Sequence, residues 1–353
     1  MHVPAAIAGR LREVIMRRRT LLNTVVSGAL ALAVAPLAGA ALTRDALAEN
    51  GKASDLVMVT GTPTGNWFPT GAAFAEFAAE AMGGQPISVT PGAGSIGNIM
   101  SVGAGKADMG LSYGAFLKLA QEGGNEINPG EAMPQLRAVL ALTPNVLHVL
   151  RADDAPFETL DELAEAKPRV NLGTGVRGST EDFGFARLLK AKGVEFDDVE
   201  SWGGSVTRGV TQGRTEGWQN RQMDMASYMW PVPAPAIDRL LGSRSGQVLS
   251  FDPEIQAEFV ETLGFAPVTI PAGTYPGQEE DVLTVGLPTT LFTTEEVSAD
   301  LVYSIVKGVA ENMERMHQVT DSYKALVPEK LMEGTGIALH AGAERYYKER
   351  GWL

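Results

Sequence analysis

DLVMVTGTPTGNWFPTGAAFAEFAAEAM, Asp55 to Met82, is the stretch from which the architecture can be read. Its apolar start, Asp55 to Thr60, predicts a strand. Gly61 and Gly65 predict a tight turn. Thr70 to Met82 then predicts a helix with Phe74 and Phe77 on one side, and Gly83-Gly84 is a stop signal. Strand, glycine-rich loop and helix make the repeating unit of an α/β fold. The loop has no lysine followed by Ser or Thr, so it is not a phosphate-cradling P-loop. Thr62, Thr64 and Asn66 give it polar groups beside Trp67 and Phe68, which makes it a candidate ligand contact.

The unit recurs. Pro86 to Thr90 reads as a strand, the turn PGAGSIGN opens a short helix through Met100, and Asp108 to Leu111 is a third strand. Leu136 to Leu150 contains paired strand-like runs split at Thr143-Pro144. A second series follows. Thr159–Ala164 is read as a helix, Arg169–Leu172 as a strand and Thr180–Ala191 as a helix. Met223–Ala226 with Tyr228-Met229-Trp230 is a strand-to-loop unit, Ile237–Leu241 is helical and Val248-Leu249 is a strand. Val282–Leu287 is a strand, Glu295–Met316 a single long amphipathic helix and Ala343–Lys348 a last helix. The expectation is two α/β lobes, each a mostly parallel sheet flanked by helices. Residues 49–145 with 282–353 would form the first lobe and 146–281 the second, with crossovers near 144–150 and 266–282.

Of the 353 residues 44% are hydrophobic, enough for a sizeable core. The net charge of -13 argues against a nucleic-acid partner. The absence of cysteine excludes disulfides, thiolate metal sites and cysteine nucleophiles. Arg17, Arg18 and Arg19 precede an apolar run that ends in small residues, the order of an export signal. Residues 1–48 are therefore expected to be removed, with a twin-arginine route open and Met16 an alternative start. That segment holds six basic and two acidic residues, so its loss takes the charge from -13 to -17. A periplasmic location follows as the expectation.

Gly92-Ala93-Gly94-Ser95-Ile96-Gly97 matches a dinucleotide fingerprint in letters. It lies in the second strand–helix unit, and no acidic ribose partner is evident. It is read instead as a helix-initiating ligand loop in which Ser95 caps the helix or donates to a bound carboxylate. LGTGVRGST, Leu172 to Thr180, repeats the idea. Thr174, Ser179 and Thr180 supply hydroxyls, Gly178 allows close backbone approach, and Arg177 is the candidate carboxylate clamp. Its other reading is a surface residue paired with Glu181 or Asp182. Trp67, Phe68, Tyr228 and Trp230 are candidate cleft walls. His148, in an apolar run, reads as a hydrogen-bonded core or hinge residue. Neither HExxH nor GxSxG occurs, and no catalytic residue, metal site or cofactor is expected. An exported α/β enzyme and a sensor without a transport role are the alternative functions.

Several segments together resemble the TAXI family of extracytoplasmic solute receptors, which serve TRAP transporters. They are the opening turn ending in Trp67-Phe68-Pro69-Thr70-Gly71, GAGSIGNIMSVGAGKADMGLS from Gly92, LRAVLALTPNVLHVLRADD from Leu136, and LDELAEAKPRVNLGTG from Leu160. IPAGTYPGQ from Ile270 and AGAERYYKERG from Ala341 complete the set. The resemblance implies a two-lobed, periplasmic-binding-protein-like (venus-flytrap) fold, and a monomeric receptor is expected. The implied ligand is a glutamate-like amino acid or dicarboxylate, and the implied partner a sodium-driven TRAP membrane permease. It implies ligand contacts in the opening loop, at Ser95 and Ile96, near Tyr113, in the Thr174–Thr180 loop and around Tyr228 and Trp230.

Overall fold

In the computed structural model residues 56–84 and 86–353 are described; residues 1–48, expected from the sequence to be an export signal, lie outside them. The first series is β1 (Leu56–Val59), α1 (Trp67–Ala81), β2 (Ile87–Thr90), α2 (Ser95–Gly103), β3 (Met109–Tyr113) and α3 (Gly114–Glu122). A long strand, β4 (Leu136–Ala152), leads to the second series: α4 (Leu160–Ala166), β5 (Asn171–Thr174), α5 (Thr180–Ala191), α6 (Phe196–Ser201), β6 (Ser205–Arg208), α7 (Thr211–Gln219) and β7 (Met225–Trp230). Then come α8 (Pro235–Ser243), β8 (Gly246–Val248), α9 (Pro253–Leu263), β9 (Ala266–Ile270) and β10 (Val282–Thr294), and after them α10 (Ala299–Glu311), α11 (Met313–Val319) and α12 (Ala341–Glu349).

Among the described residues ten strands make one sheet in the order β2-β1-β3-β10-β4-β7-β5-β6, with β8 added to β4 and β9 to β10. Its two ends are parallel, β1 with β2 and β3, and β5 with β6 and β7. Each end is the nucleus of one lobe of a bilobed α/β fold. Its centre is antiparallel, because β10 runs against both β3 and β4, and β4 against β7. The sheet is therefore mixed, and two long strands serve both lobes.

Those strands account for three departures from the sequence expectation. β4 is unbroken through Thr143-Pro144, so 144–150 lies inside a strand. Residues 266–282 form the β9–β10 hairpin. β10 continues to Thr294, and the expected single helix is two, α10 and α11, separated at Asn312, whose Nδ2 donates to the Gly308 carbonyl at 2.8 Å. Pro144 faces Pro288 across β4 and β10, and the register shifts between Pro288 and Thr290. Neither proline has an N–H for the ladder, which weakens pairing at this crossing.

Helical spacing sets the packing. α1 buries Thr70, Phe74, Phe77 and Ala78, and α10 buries Val302, Ile305, Val306 and Val309. These are i, i+3/i+4 and i+7 stripes, and each large apolar side chain contributes about 1.5–3 kcal/mol on burial. The two helices approach at Gly308, where an added Cβ would lie 2.5 Å from the Phe77 carbonyl oxygen. Asn98, fully buried on α2, donates through Nδ2 to Thr60 O at 2.7 Å and Leu111 O at 2.8 Å. One amide thus ties α2 to the chain just after β1 and to the middle of β3.

His148 is fully buried on β4. Its Nδ1 is 2.9 Å from the Val146 carbonyl, so Nδ1 carries the proton and Nε2 accepts from the Tyr275 hydroxyl at 2.8 Å. Tyr275 accepts in turn from Ala234 N at 3.1 Å. Burial pulls the imidazole pKa down to about 4, so it stays neutral as a satisfied core group.

Candidate functional site

The carboxyl ends of parallel strands from both lobes converge on one cleft, where open α/β sheets bind ligands. The cleft has a volume of about 60 Å³, and its walls come from the loops after β1, β2, β5 and β6, from Tyr113 at the end of β3, from Asn145 on β4, and from the end of β7.

In the first lobe, Trp67 starts α1, and Gly61 lets the loop fold back on it; a Cβ there would lie 2.9 Å from that of Trp67. The indole Nε1 donates to Thr289 Oγ1 at 3.1 Å, and the ring tilts against Tyr113 with centroids 5.0 Å apart. Asn66 Nδ2 donates to Asn145 Oδ1 at 3.1 Å, and Asn145 Nδ2 donates to both the Tyr113 hydroxyl and Thr289 Oγ1 at 3.2 Å. Because Tyr113 accepts from Asn145, its own O–H is directed elsewhere. Burial, and then the Glu181 carboxylate, raise the phenol pKa well above the ordinary value. Tyr113 is therefore a permanent donor in the cleft wall.

In the second lobe, Ser179 is the N-cap of α5 and accepts from Asp182 N at 3.3 Å. Arg214, in the second turn of α7, is 2% exposed. Nη1 donates to the Ser227 carbonyl at 2.7 Å, while Nη2 reaches Thr211 Oγ1 at 3.3 Å and Glu181 Oε1 at 3.4 Å. Its Nε has no hydrogen-bond partner. The guanidinium lies over the Tyr228 ring, 4.9 Å from the centroid. No side chain caps α7, and its first residues, Val210 and Thr211, line the cleft. A cation and an uncapped helix N-terminus thus adjoin, an arrangement that favours an anion.

The lobes touch directly beside the cleft. The Gly178 carbonyl accepts from Ile96 N at 3.0 Å and Gly97 N at 3.3 Å, and Ser95 Oγ is 2.5 Å from Thr180 Oγ1. Gly94 makes this possible. A Cβ there would stand 2.7 Å from Ser179 Cα, and its φ of +89° suits glycine. The first turn of α2, expected to be open to a ligand, is filled by a carbonyl of the other lobe.

Of the residues proposed from sequence, Thr62, Asn66, Trp67, Ser95, Tyr113, Ser179, Thr180 and Trp230 line the cleft. Thr64 is exposed on the loop, and Phe68 and Ile96 are half-buried outside the lining. Thr174 lies beneath it, paired with Ser227 Oγ at 3.1 Å, and Gly178 is spent on the contact between lobes. Tyr228 is not a wall: it is buried under Arg214. Arg177, the expected clamp, is not among the residues that line the cleft. It is exposed outside the cleft, where its charge acts on Asp182. Sequence reasoning missed Arg214, Glu181 as a lining group, Asn145 and Met229. Arg214 did leave a signal, an arginine one helical turn before Trp218 in the otherwise polar run TQGRTEGWQ.

Among the described residues no histidine lines the cleft: His148 is outside its lining, and its ring nitrogens are both engaged. Among the described residues no group of three or more His, Asp or Glu could hold a metal ion. Donors, one cation and one carboxylate equip the cleft for binding.

The lobes and the cleft between their strand ends define a bilobed periplasmic-binding-protein fold. MatC from Rhodopseudomonas palustris, solved with malate bound, superimposes with a TM-score of 0.50 at 15% identity over 84% of this chain and 97% of that one. The periplasmic binding protein BugD matches with a TM-score of 0.49 at 16% identity over 84% of this chain and 96% of its own. A second R. palustris protein, solved with adipate, matches at 0.49 and 16% identity over 86% and 98%. The chain belongs to the NMT1-like family, whose profile matches residues 58–351.

Proposed function

We propose that this protein is an extracytoplasmic receptor that closes two lobes on a small carboxylate-bearing solute, a glutamate-like amino acid or a dicarboxylate, and delivers it to a TAXI-type TRAP permease. The observation that carries the reading is Arg214, buried beside the uncapped start of α7 in a cleft between lobes. A guanidinium in the cleft wall favours an anion as its partner. The permease assignment rests on the segments quoted above. The lobes comprise 49–145 with 282–353, and 146–281. The receptor works as a monomer in the periplasm after loss of residues 1–48. Among the described residues no helix is long and apolar enough to cross a membrane.

A thermal-shift screen of ligand-stripped protein against amino acids, dicarboxylates, sugars and polyamines tests this, since a solute that binds only the folded state raises apparent stability. A carboxylate hit should lose affinity in Arg214→Met by roughly 2–5 kcal/mol, the cost of breaking a buried charge-assisted contact. Arg177→Ala should bind as the wild type does. A neutral sugar or a polyamine as the confirmed ligand overturns the assignment.

A further inference from the structure

Among the described residues Arg214 and Glu181 are the only charged ones that line the cleft, one of each sign. They come from two helix starts of the same lobe, Glu181 in the first turn of α5 and Arg214 in the second turn of α7. Both are withdrawn from solvent, with side chains 19% and 2% exposed. Yet they are poorly closed on each other. Arg214 Nη2 and Glu181 Oε1 are 3.4 Å apart, where a charge-assisted bond is about 2.7–2.9 Å. Arg214 spends its short bond, 2.7 Å, on the Ser227 carbonyl, and its Nε is unpartnered. The pair is thus held near contact without closing into a short charge-assisted bond.

We infer that Glu181 is the specificity determinant of this cleft: it receives the ammonium of a ligand whose carboxylate is held by Arg214, so the site selects an amino acid over the matching hydroxy or oxo acid. This rests on the receptor reading above and narrows its ligand class. The charge count carries it. A carboxylate that enters beside Arg214 also enters beside Glu181, with no second cation in the lining to offset the repulsion. An ammonium on the carbon next to that carboxylate supplies the missing charge within the same cleft. A hydroxyl or oxo group in its place leaves a half-buried carboxylate facing another, an arrangement that costs affinity rather than adding to it. The neighbouring polar groups do not change this balance. Thr211 and Tyr113 are neutral, and Tyr113 stands as a donor for whichever oxygen the ligand presents.

Matched pairs test the inference: alanine with lactate, leucine with 2-hydroxy-4-methylpentanoate, and glutamate with 2-hydroxyglutarate, each measured by calorimetry on ligand-stripped protein. In any pair that binds, the amino member should be tighter by about 30-fold or more, the lower end of the effect of a buried charge pair. Glu181→Gln keeps the shape and removes the charge, so it should shrink that ratio to a few-fold while the hydroxy acid gains affinity. Glu181→Asp keeps the charge and should keep the amino preference. Equal affinity within a pair in the wild-type protein overturns the inference whatever the variants do, as does an unchanged ratio in folded Glu181→Gln. Those results leave the receptor reading intact if Arg214→Met still abolishes binding. A confirmed sugar or polyamine ligand, by contrast, removes the receptor reading and this inference together.

Discussion

Gly94→Ala separates the closed arrangement of the lobes from the stability of either one. Gly94 has φ +89° and ψ -176°, a region that is nearly glycine-only and costs an alanine about 1–3 kcal/mol. That strain is local to the turn before α2, so it lowers folding stability whether the lobes are apart or together. A second cost arises only on closure. The new Cβ would sit 2.7 Å from Ser179 Cα, 2.8 Å from Ser179 Cβ and 3.2 Å from the Gly178 carbonyl oxygen, all in the other lobe. Two of the three are backbone atoms, which cannot swing aside as a side-chain tip can. The lobes must separate slightly, which stretches the bonds from Ile96 N and Gly97 N to Gly178 O. Overpacking of this kind costs about 1–3 kcal/mol, which is 5- to 150-fold in the affinity of a ligand that needs the closed form. Gly105→Ala is the control: its φ is +67° with no atom within 4 Å of the added Cβ, so it carries strain without an obstacle to closure. Urea unfolding should show both variants destabilised, and calorimetry with the hit from the ligand screen should show only Gly94→Ala weakened. Wild-type affinity in Gly94→Ala, at the expected loss of stability, would refute the argument that the observed contact is the binding state.

His148 gives a pH dependence. Its pKa falls from 6.5 in the unfolded chain to about 4 when buried. The unfolded state then binds the extra proton first as pH drops below 6.5, so stability is full above that value and declines toward pH 4. The loss from this group should be about 2 kcal/mol between pH 7.5 and 5, read from urea midpoints, and a folded His148→Gln should lack that part of the slope. Asn98→Ala deletes both donors to the Thr60 and Leu111 carbonyls and should cost about 2–4 kcal/mol in unfolding free energy. Small-angle scattering with and without ligand should show compaction, with a smaller change in a Pro144→Ala/Pro288→Ala variant, which regains two ladder donors at the crossing of the long strands. N-terminal sequencing of periplasmic protein should begin near Glu49; recovery only of a cytoplasmic protein with residues 17–48 intact would refute export.

Much of the fold was legible because it is local. Asp55–Thr60, the glycine turn and Thr70–Met82 declare a strand–loop–helix in one window, and Thr180–Ala191 emerged with the same bounds in the structure. What was not legible is nonlocal. The antiparallel centre depends on β10 returning between β3 and β4 from more than a hundred residues away, and no periodicity in 282–294 records its neighbours. Pro144 is a breaker by local rules, yet β4 runs through it because pairing on both sides holds the chain extended. The site divides in the same way. Trp67, Ser95 and Ser179, named from the sequence, do line the cleft, because loops at strand ends are rich in such groups. Arg177 was favoured over Arg214, yet it lies outside the cleft lining, because a loop position says that a side chain is accessible, not which way the loop faces. Arg214 reaches the cleft from inside a helix, where sequence patterning reads a polar surface.

The helix starts around the cleft divide the work of closing and binding. Each begins with amides that no intrahelical carbonyl can satisfy. In α5 the Ser179 hydroxyl satisfies Asp182 N from within its own lobe. In α2 the Gly178 carbonyl of the opposite lobe takes two amides, Ile96 N and Gly97 N, so that contact serves closure and is closed to solute. In α7 no side chain serves, and the nearest charge is the buried guanidinium of Arg214. The α7 start therefore offers its amides beside the cation, while the starts of α1 and α3 at the same cleft also lack side-chain caps. The acidic surface does not oppose this, because charges farther than about 8 Å across solvent are screened at physiological ionic strength. Glu181 is inside that distance, and it acts on what enters where the rest of the net negative charge does not.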